Sequence, residues 1–235
     1  MDKKQFLLFN RTDKKAWSAV FGGTTYIDAG SEASIDNLAD GAFTLEGWFK
    51  FDQLANASIF FNKSTPGVWT DAGFHIFANN GDSVLYSDVA CATSKAWSPG
   101  LVTGWESDKT FHHFAFQFDD AGDRYPFVYI DGVEITYMWQ VAGVGAVVDD
   151  SALSLSIGNG IGSNDGIHGN VGWIRISNVM RYTAPFIPPS RLVYPTVDVN
   201  TVRLFKMNEG TGTTITDYST NAQNATLANG TWIKE

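Results

Sequence analysis

Residues 171–189 read VGWIRISNVMRYTAPFIPP. Successive side chains of an extended chain point to opposite sides, so Ile174 and Ile176 fall together on one face of a β-strand. The strand then meets the turn-forming run Arg181-Tyr182-Thr183 and stops at Pro188-Pro189, where neither proline can donate to a ladder. A strand closed in this way belongs to an all-β architecture.

Working outward, the same two-residue period recurs. In FTLEGWFKF, Phe43, Leu45, Phe49 and Phe51 share one face while Thr44, Glu46, Trp48 and Lys50 share the other. Phe114, Phe116 and Phe118 alternate with Ala115 and Gln117, and Leu153, Leu155 and Ile157 alternate with Ser154 and Ser156. Asp131-Gly132 lies between FVYI and VEI, and Asn80-Gly81 between FHIFA and SVLY. Both dipeptides tolerate positive φ and signal tight hairpins. No window shows a sustained 3.6-residue apolar period, so helix is confined to a turn or two near residues 34–38. The fold class expected is all-β, an antiparallel jelly-roll β-sandwich in one domain spanning residues 1–235. Residues 185–200, with four prolines, are expected to run along the surface before the final strands.

Arg181, Tyr182, Thr183, Phe186, Pro188 and Pro189 together form a phrase that resembles the closing strand of laminin-G-like, concanavalin A-like domains, of the type found in bacterial surface proteins and bacteriophage virion proteins. FTLEGWFKF resembles an early strand of that family. HHFAFQFDDAGDRYPFVYIDGVEI, residues 112–135, resembles its central pair. LFKMNEGTGTTITDYSTNAQNATLANGTW, residues 204–232, resembles its opening phrase, yet stands last. One reading is a circular permutation, in which residues 1–25 and 200–235 lie side by side and complete the sandwich. The other is a second copy cut short. The first gives Leu204, Phe205, Met207 and Trp232 a core to enter. The resemblance implies glycan binding, calcium held in or near loops, and display on a virion or extracellular surface.

Composition agrees with a globular sandwich and excludes other classes. Of 235 residues, 44% are hydrophobic and 14% aromatic, enough for a core, and 23 glycines against 7 prolines suit short strands joined by tight turns. The net charge of −9 and the scattered Lys and Arg leave no basic stripe, so nucleic acid is not an expected partner. Cys91 is the sole cysteine, which rules out an internal disulfide and points to a buried, inert thiol. The only apolar run in MDKKQFLLFNRTDKK is four residues long, so neither a classical signal peptide nor membrane insertion is expected.

Catalysis is not expected. Glycoside hydrolysis needs two carboxylates facing one sugar, whereas Glu46 stands alone, and Asp119-Asp120 and Asp149-Asp150 are adjacent pairs that an extended chain would split between faces. His112-His113 reads as structural, and GNGIG at residues 158–162 lacks the following helix that a dinucleotide site requires. Two binding candidates remain. Trp69, Trp97, Trp105 and Trp139 sit among turn-forming and polar neighbours, as rings that stack on sugars do. Glu209, Asp217, Ser219, Asn221 and Asn224 gather oxygens that could ligate calcium, or in which Asp217 caps its own turn. The leading expectation is a non-catalytic carbohydrate-binding or adhesion module, with calcium dependence following if the Asp217 loop ligates a cation. The second is a virion structural protein acting through protein–protein contacts, and the third a glycoside hydrolase.

Overall fold

The computed structural model describes residues 16–53, 57–65, 68, 71–79, 83–101 and 108–235. Its strands in chain order are β1 (Trp17–Phe21), β2 (Tyr26–Asp28), β3 (Ala42–Gln53), β4 (Ser58–Asn62), β5 (Phe74–Asn79), β6 (Val84–Val89), β7 (Ala96–Trp97), β8 (Gly100–Leu101) and β9 (Phe111–Asp119). They continue with β10 (Phe127–Ile130), β11 (Val133–Glu134), β12 (Thr136–Tyr137), β13 (Ser156–Ile157), β14 (His168–Ser177), β15 (Thr201–Phe205), β16 (Thr214–Ile215), β17 (Ala225–Ala228) and β18 (Thr231–Lys234). Among the described residues helix is confined to one 3-10 turn, Leu38–Asp40.

Two antiparallel sheets face each other. The first runs β11-β10-β9-β3-β14-β1-β18, and the second β12-β8-β6-β5-β4-β13-β2-β17-β16. Strand β14 carries two partners end to end on one side: β1 pairs with residues 169–171, and β15 with residues 174–177. Its other side pairs with β3, with a break in register between Val171 and Ile174. Gly47 sits opposite that break, where a Cβ would come within 2.3 Å of the Ile174 side chain and 2.7 Å of the Trp173 carbonyl. Only glycine fits so close an approach.

The apolar faces read from the sequence meet between the sheets. Phe43, Leu45, Phe49 and Phe51 of β3 are fully buried with Phe116 and Phe118 of β9, against Phe60, Phe61, Phe74 and Ile76 of the second sheet. Phe60 stacks on Phe114 with centroids 4.6 Å apart, and Phe49 meets Phe60 edge-on at 5.1 Å. Each ring buried contributes roughly 1.5–3 kcal/mol through area removed from water, and the ring geometry adds to it. Leu155 and Ile157 join this core, and Asp131 and Gly132 form the expected hairpin with φ of 51° and 79°. The turn between β5 and β6 at Asn80-Gly81 lies outside the described residues, although Asn79 does pair with Val84.

The opposite face of β3 is not a solvent face. Thr44 and Glu46 are fully buried, because residues 178–200 cross the outside of the first sheet as a strap. Gln117 anchors it: its Oε1 accepts from the Arg181 and Tyr182 amides, and its Nε2 donates to the Tyr182 carbonyl. Trp48 and Trp173 donate their indole N–H to the Pro189 and Ser190 carbonyls. Phe186 stacks on Tyr182 and donates its amide to Gly132. The Arg-Tyr-Thr and Pro-Pro residues thus do more than end a strand. They bring the chain back over it.

The first and last described strands are neighbours, β1 pairing with β18 from Trp17↔Lys234 to Val20↔Thr231. Leu204, Phe205 and Met207 are buried, while Trp232 is half-buried and donates its indole N–H to Gly212.

Candidate functional site

On the outer face of the second sheet, alternation turns Phe74, Ile76 and Ala78 of β5 into the core and leaves His75 and Phe77 on the other side. Tyr86 lies opposite Phe77 in the ladder and Asp88 opposite His75. The rings form a row. His75 stacks on Phe77 at 4.6 Å, Phe77 on Tyr86 at 4.9 Å, Tyr86 lies nearly parallel to Trp97 at 6.4 Å, and Trp97 meets Trp139 edge-on at 5.5 Å.

The far end of the row is carried by the segment after β12, which bridges to the segment around β7 through Cys91↔Val147, Ser94↔Val144 and Trp97↔Val141. Trp97 and Val141 exchange both backbone bonds, at 2.9 and 2.8 Å. That pairing sets the Trp139 indole beside Trp97 and keeps it 46% exposed, next to exposed Met138 and Val141. Among the described residues, Trp97 and Trp139 are thus the two predicted tryptophans that the fold brings together. Trp69 and Trp105 lie outside the described residues.

The row is electrically quiet. Burial, and then the charge of Lys95, hold the His75 imidazole down to about 3, so it is neutral at pH 7. Asp88 is pushed up to about 6 by burial, which outweighs the attraction of Lys95 3.1 Å away. Lys95 also lies over the Trp97 ring, 4.6 Å from its centroid. One cation and one carboxylate offset each other beside a run of apolar ring faces. Phe77 and Tyr86 were not among the sequence candidates, and their signal was the alternation of FHIFA and its pairing with SVLY.

The predicted oxygen cluster is hydrogen-bonded within its own loop. The Asp217 carboxylate accepts from the Leu204, Ser219 and Gln223 amides and from the Ser219 hydroxyl, at 2.7–3.0 Å. Asn224 accepts from the Asp217 amide, Glu209 from the Thr216 amide, and the Asn221 side chain donates to Val202. The loop's own N–H groups bond the Asp217 carboxylate, and buried Arg203 stands 3.8 Å from it. These bonds are those of an Asx-type turn. Among the described residues no group of three or more His, Cys, Asp or Glu side chains is placed to hold a metal.

Glu46, His113, Arg175 and Tyr182 form a set with the look of catalytic machinery. Glu46 accepts from Arg175 at 2.6 Å, from Tyr182 at 2.7 Å and bonds His113 at 3.1 Å. Yet Glu46 and His113 are fully buried beneath the strap, out of reach of a substrate. His112 is tied to Asp108 and Asp131, at 2.9 and 2.6 Å. Cys91 is half-buried rather than buried, and desolvation raises its thiol above the ordinary value, which keeps it protonated.

No family model and no curated protein sequence matches the chain significantly. Solved structures do. The chain is similar to a Bacteroides ovatus protein provisionally described as carbohydrate-binding, with a TM-score of 0.67 and 16% identity over 94% of this chain and 60% of that one. The chain therefore spans about three-fifths of that protein. Weaker likenesses are to a heptameric SAP-like pentraxin of Limulus polyphemus (TM-score 0.46, 14% identity, 71% and 78% covered) and to the CBM40 of a Ruminococcus gnavus IT-sialidase (0.47, 12%, 70% and 91%). The architecture is that of the concanavalin A-like jelly-roll sandwiches.

Proposed function

We propose that the chain is a non-catalytic carbohydrate-binding module whose sugar rests on the aromatic row of the second sheet, with Trp139 as the stacking ring and Trp97 as its support. The observation that carries this reading is the exposed Trp139 indole, held edge-on against Trp97 at the end of a continuous row of rings. An apolar ring face without net charge suits the C–H face of an uncharged pyranose. The fold likeness to a protein described as carbohydrate-binding supports the same reading. One carboxylate, Asp88, lies along the described row and is paired with Lys95, whereas hydrolysis needs two. Binding without cleavage follows.

The test is an array of neutral oligosaccharides, then calorimetry on the best binder. Trp139→Ala is expected to lose about 2 kcal/mol of affinity, the scale of a tryptophan hot spot, with an unchanged melting temperature. In this reading the loop around Asp217 serves the fold, so affinity in chelator and in calcium should agree. An array without a binder would sink the reading and hand the surface to protein partners, such as the virion contacts of the second expectation.

A further inference from the structure

A second concavity lies on the other sheet. At its β11 edge, between the β9–β10 turn and the strap, a cleft of about 300 Å³ is lined by Asp119, Asp123 and Glu134, by the rings of Phe127, Tyr129 and Tyr182, and by Met180. None of the three carboxylates has a cationic partner: every ion pair of the described residues lies elsewhere. Arg124, the base nearest in sequence, is spent on Asp120 at 2.7 Å and on the Gly145 carbonyl. Asp119 and Asp123 each accept one amide of their own turn through Oδ1.

Tyr129 is the second and independent observation. It is 3% exposed, its ring packs on Tyr182 and Phe186, and its hydroxyl makes no hydrogen bond although it lines the cleft. The ring is buried, but the hydroxyl is not among the buried unpartnered atoms, so it opens onto the cleft with no protein group bonded to it and is free to accept from a ligand. Burial, and then the charge of Glu134, raise the phenol above its ordinary value, which keeps it neutral with an oxygen able to accept.

We propose that this cleft binds a primary ammonium group on a body no larger than a monosaccharide, its N–H groups bonded to Tyr129 and the carboxylates and its carbon skeleton lying on Phe127 and Tyr182. Rings attract a cation through their faces, and uncompensated carboxylates supply the charge. A volume near the lower bound of small-molecule sites sets the size. An amino sugar and a lysine side chain share this chemistry. The cleft and the aromatic row lie on different sheets, so this inference does not rest on the glycan reading.

The experiment titrates the full chain by NMR with butylammonium and with butanol, which match in size and differ in charge. Butylammonium is expected to shift cleft resonances saturably and butanol not. Tetramethylammonium, which has no N–H, should bind more weakly. Glu134→Gln should weaken butylammonium about tenfold, and Tyr129→Phe, which keeps the ring and so the packing, about fivefold. Asp149→Asn, which removes one exposed negative charge outside the cleft lining, should leave affinity unchanged. Glucosamine against Nα-acetyl-lysine amide then identifies the source, and tighter binding of either supports the shared chemistry. Equal binding of butanol or of tetramethylammonium, or no loss in both Glu134→Gln and Tyr129→Phe, would overturn the proposal.

Discussion

Glu46 shows how much one side chain can depend on residues far away in the chain. Burial pushes its carboxyl up, but the hydrogen bond with His113 and the charge of Arg175 more than offset this and hold it below its ordinary value. A carboxyl depressed in the folded state contributes stability that is present above its unfolded pKa and lost as the pH falls through the folded one. The melting temperature should therefore drop as the pH falls below about 4. Glu46→Gln should flatten that acid limb and, by leaving Arg175 buried without its counter-ion, cost on the order of 3–5 kcal/mol in chemical denaturation. An unchanged acid limb in the variant would show that the network is not what holds the charge. Glu46 read as a lone acid in the sequence because its partners lie 67, 129 and 136 positions away. Asp217 was more legible, since its capped groups are mostly local, and a cluster of oxygens cannot by itself tell a cation from a turn.

The elements were legible through the period of two. Phe43 to Phe51 and Phe114 to Phe118 fall where alternation puts them because each strand buries one face whatever its partners are. The strap was not. Prolines announced an extended run, but no local signal says that such a run will lie on Glu46 and Trp48 rather than in water. Its fit is seen at Gly132, where φ is +79° and a Cβ would stand 1.8 Å from the Phe186 carbonyl oxygen. Gly132→Ala should thus strain the hairpin and lift the strap together, at a cost of about 1–3 kcal/mol. Hydrogen exchange is the discriminating measurement: the Phe186 amide, bonded to Gly132, should lose protection before the amides of β3. Loss spread evenly over the sheet would mean that strap and sheet open as one unit. The aromatic row was half legible, with Trp97 and Trp139 visible as loop tryptophans but their meeting fixed by the Trp97↔Val141 bridge.

At the scale of the molecule, the first and last described strands close the structure. β15 fills the half of β14 that β1 leaves free, β17 lies beside β2, and β18 flanks β1. Leu204, Phe205 and Met207 together should contribute roughly 1.5–3 kcal/mol each by burial, comparable in sum to the net stability of a whole domain. A chain ending before Thr201 is expected to be insoluble or unfolded by circular dichroism. A truncated chain melting at the full chain's temperature would refute the role given to those strands.

The pairing of β1 with β18 also fixes how the molecule answers to force. Trp17 lies opposite Lys234, so residues 16 and 235 emerge from the same end of one antiparallel ladder. A load drawn between them meets the rungs one after another, in the manner of a zipper, and never the whole ladder in shear. Tension along the chain would open this seam first, leaving the aromatic row on the opposite sheet assembled while the ends part.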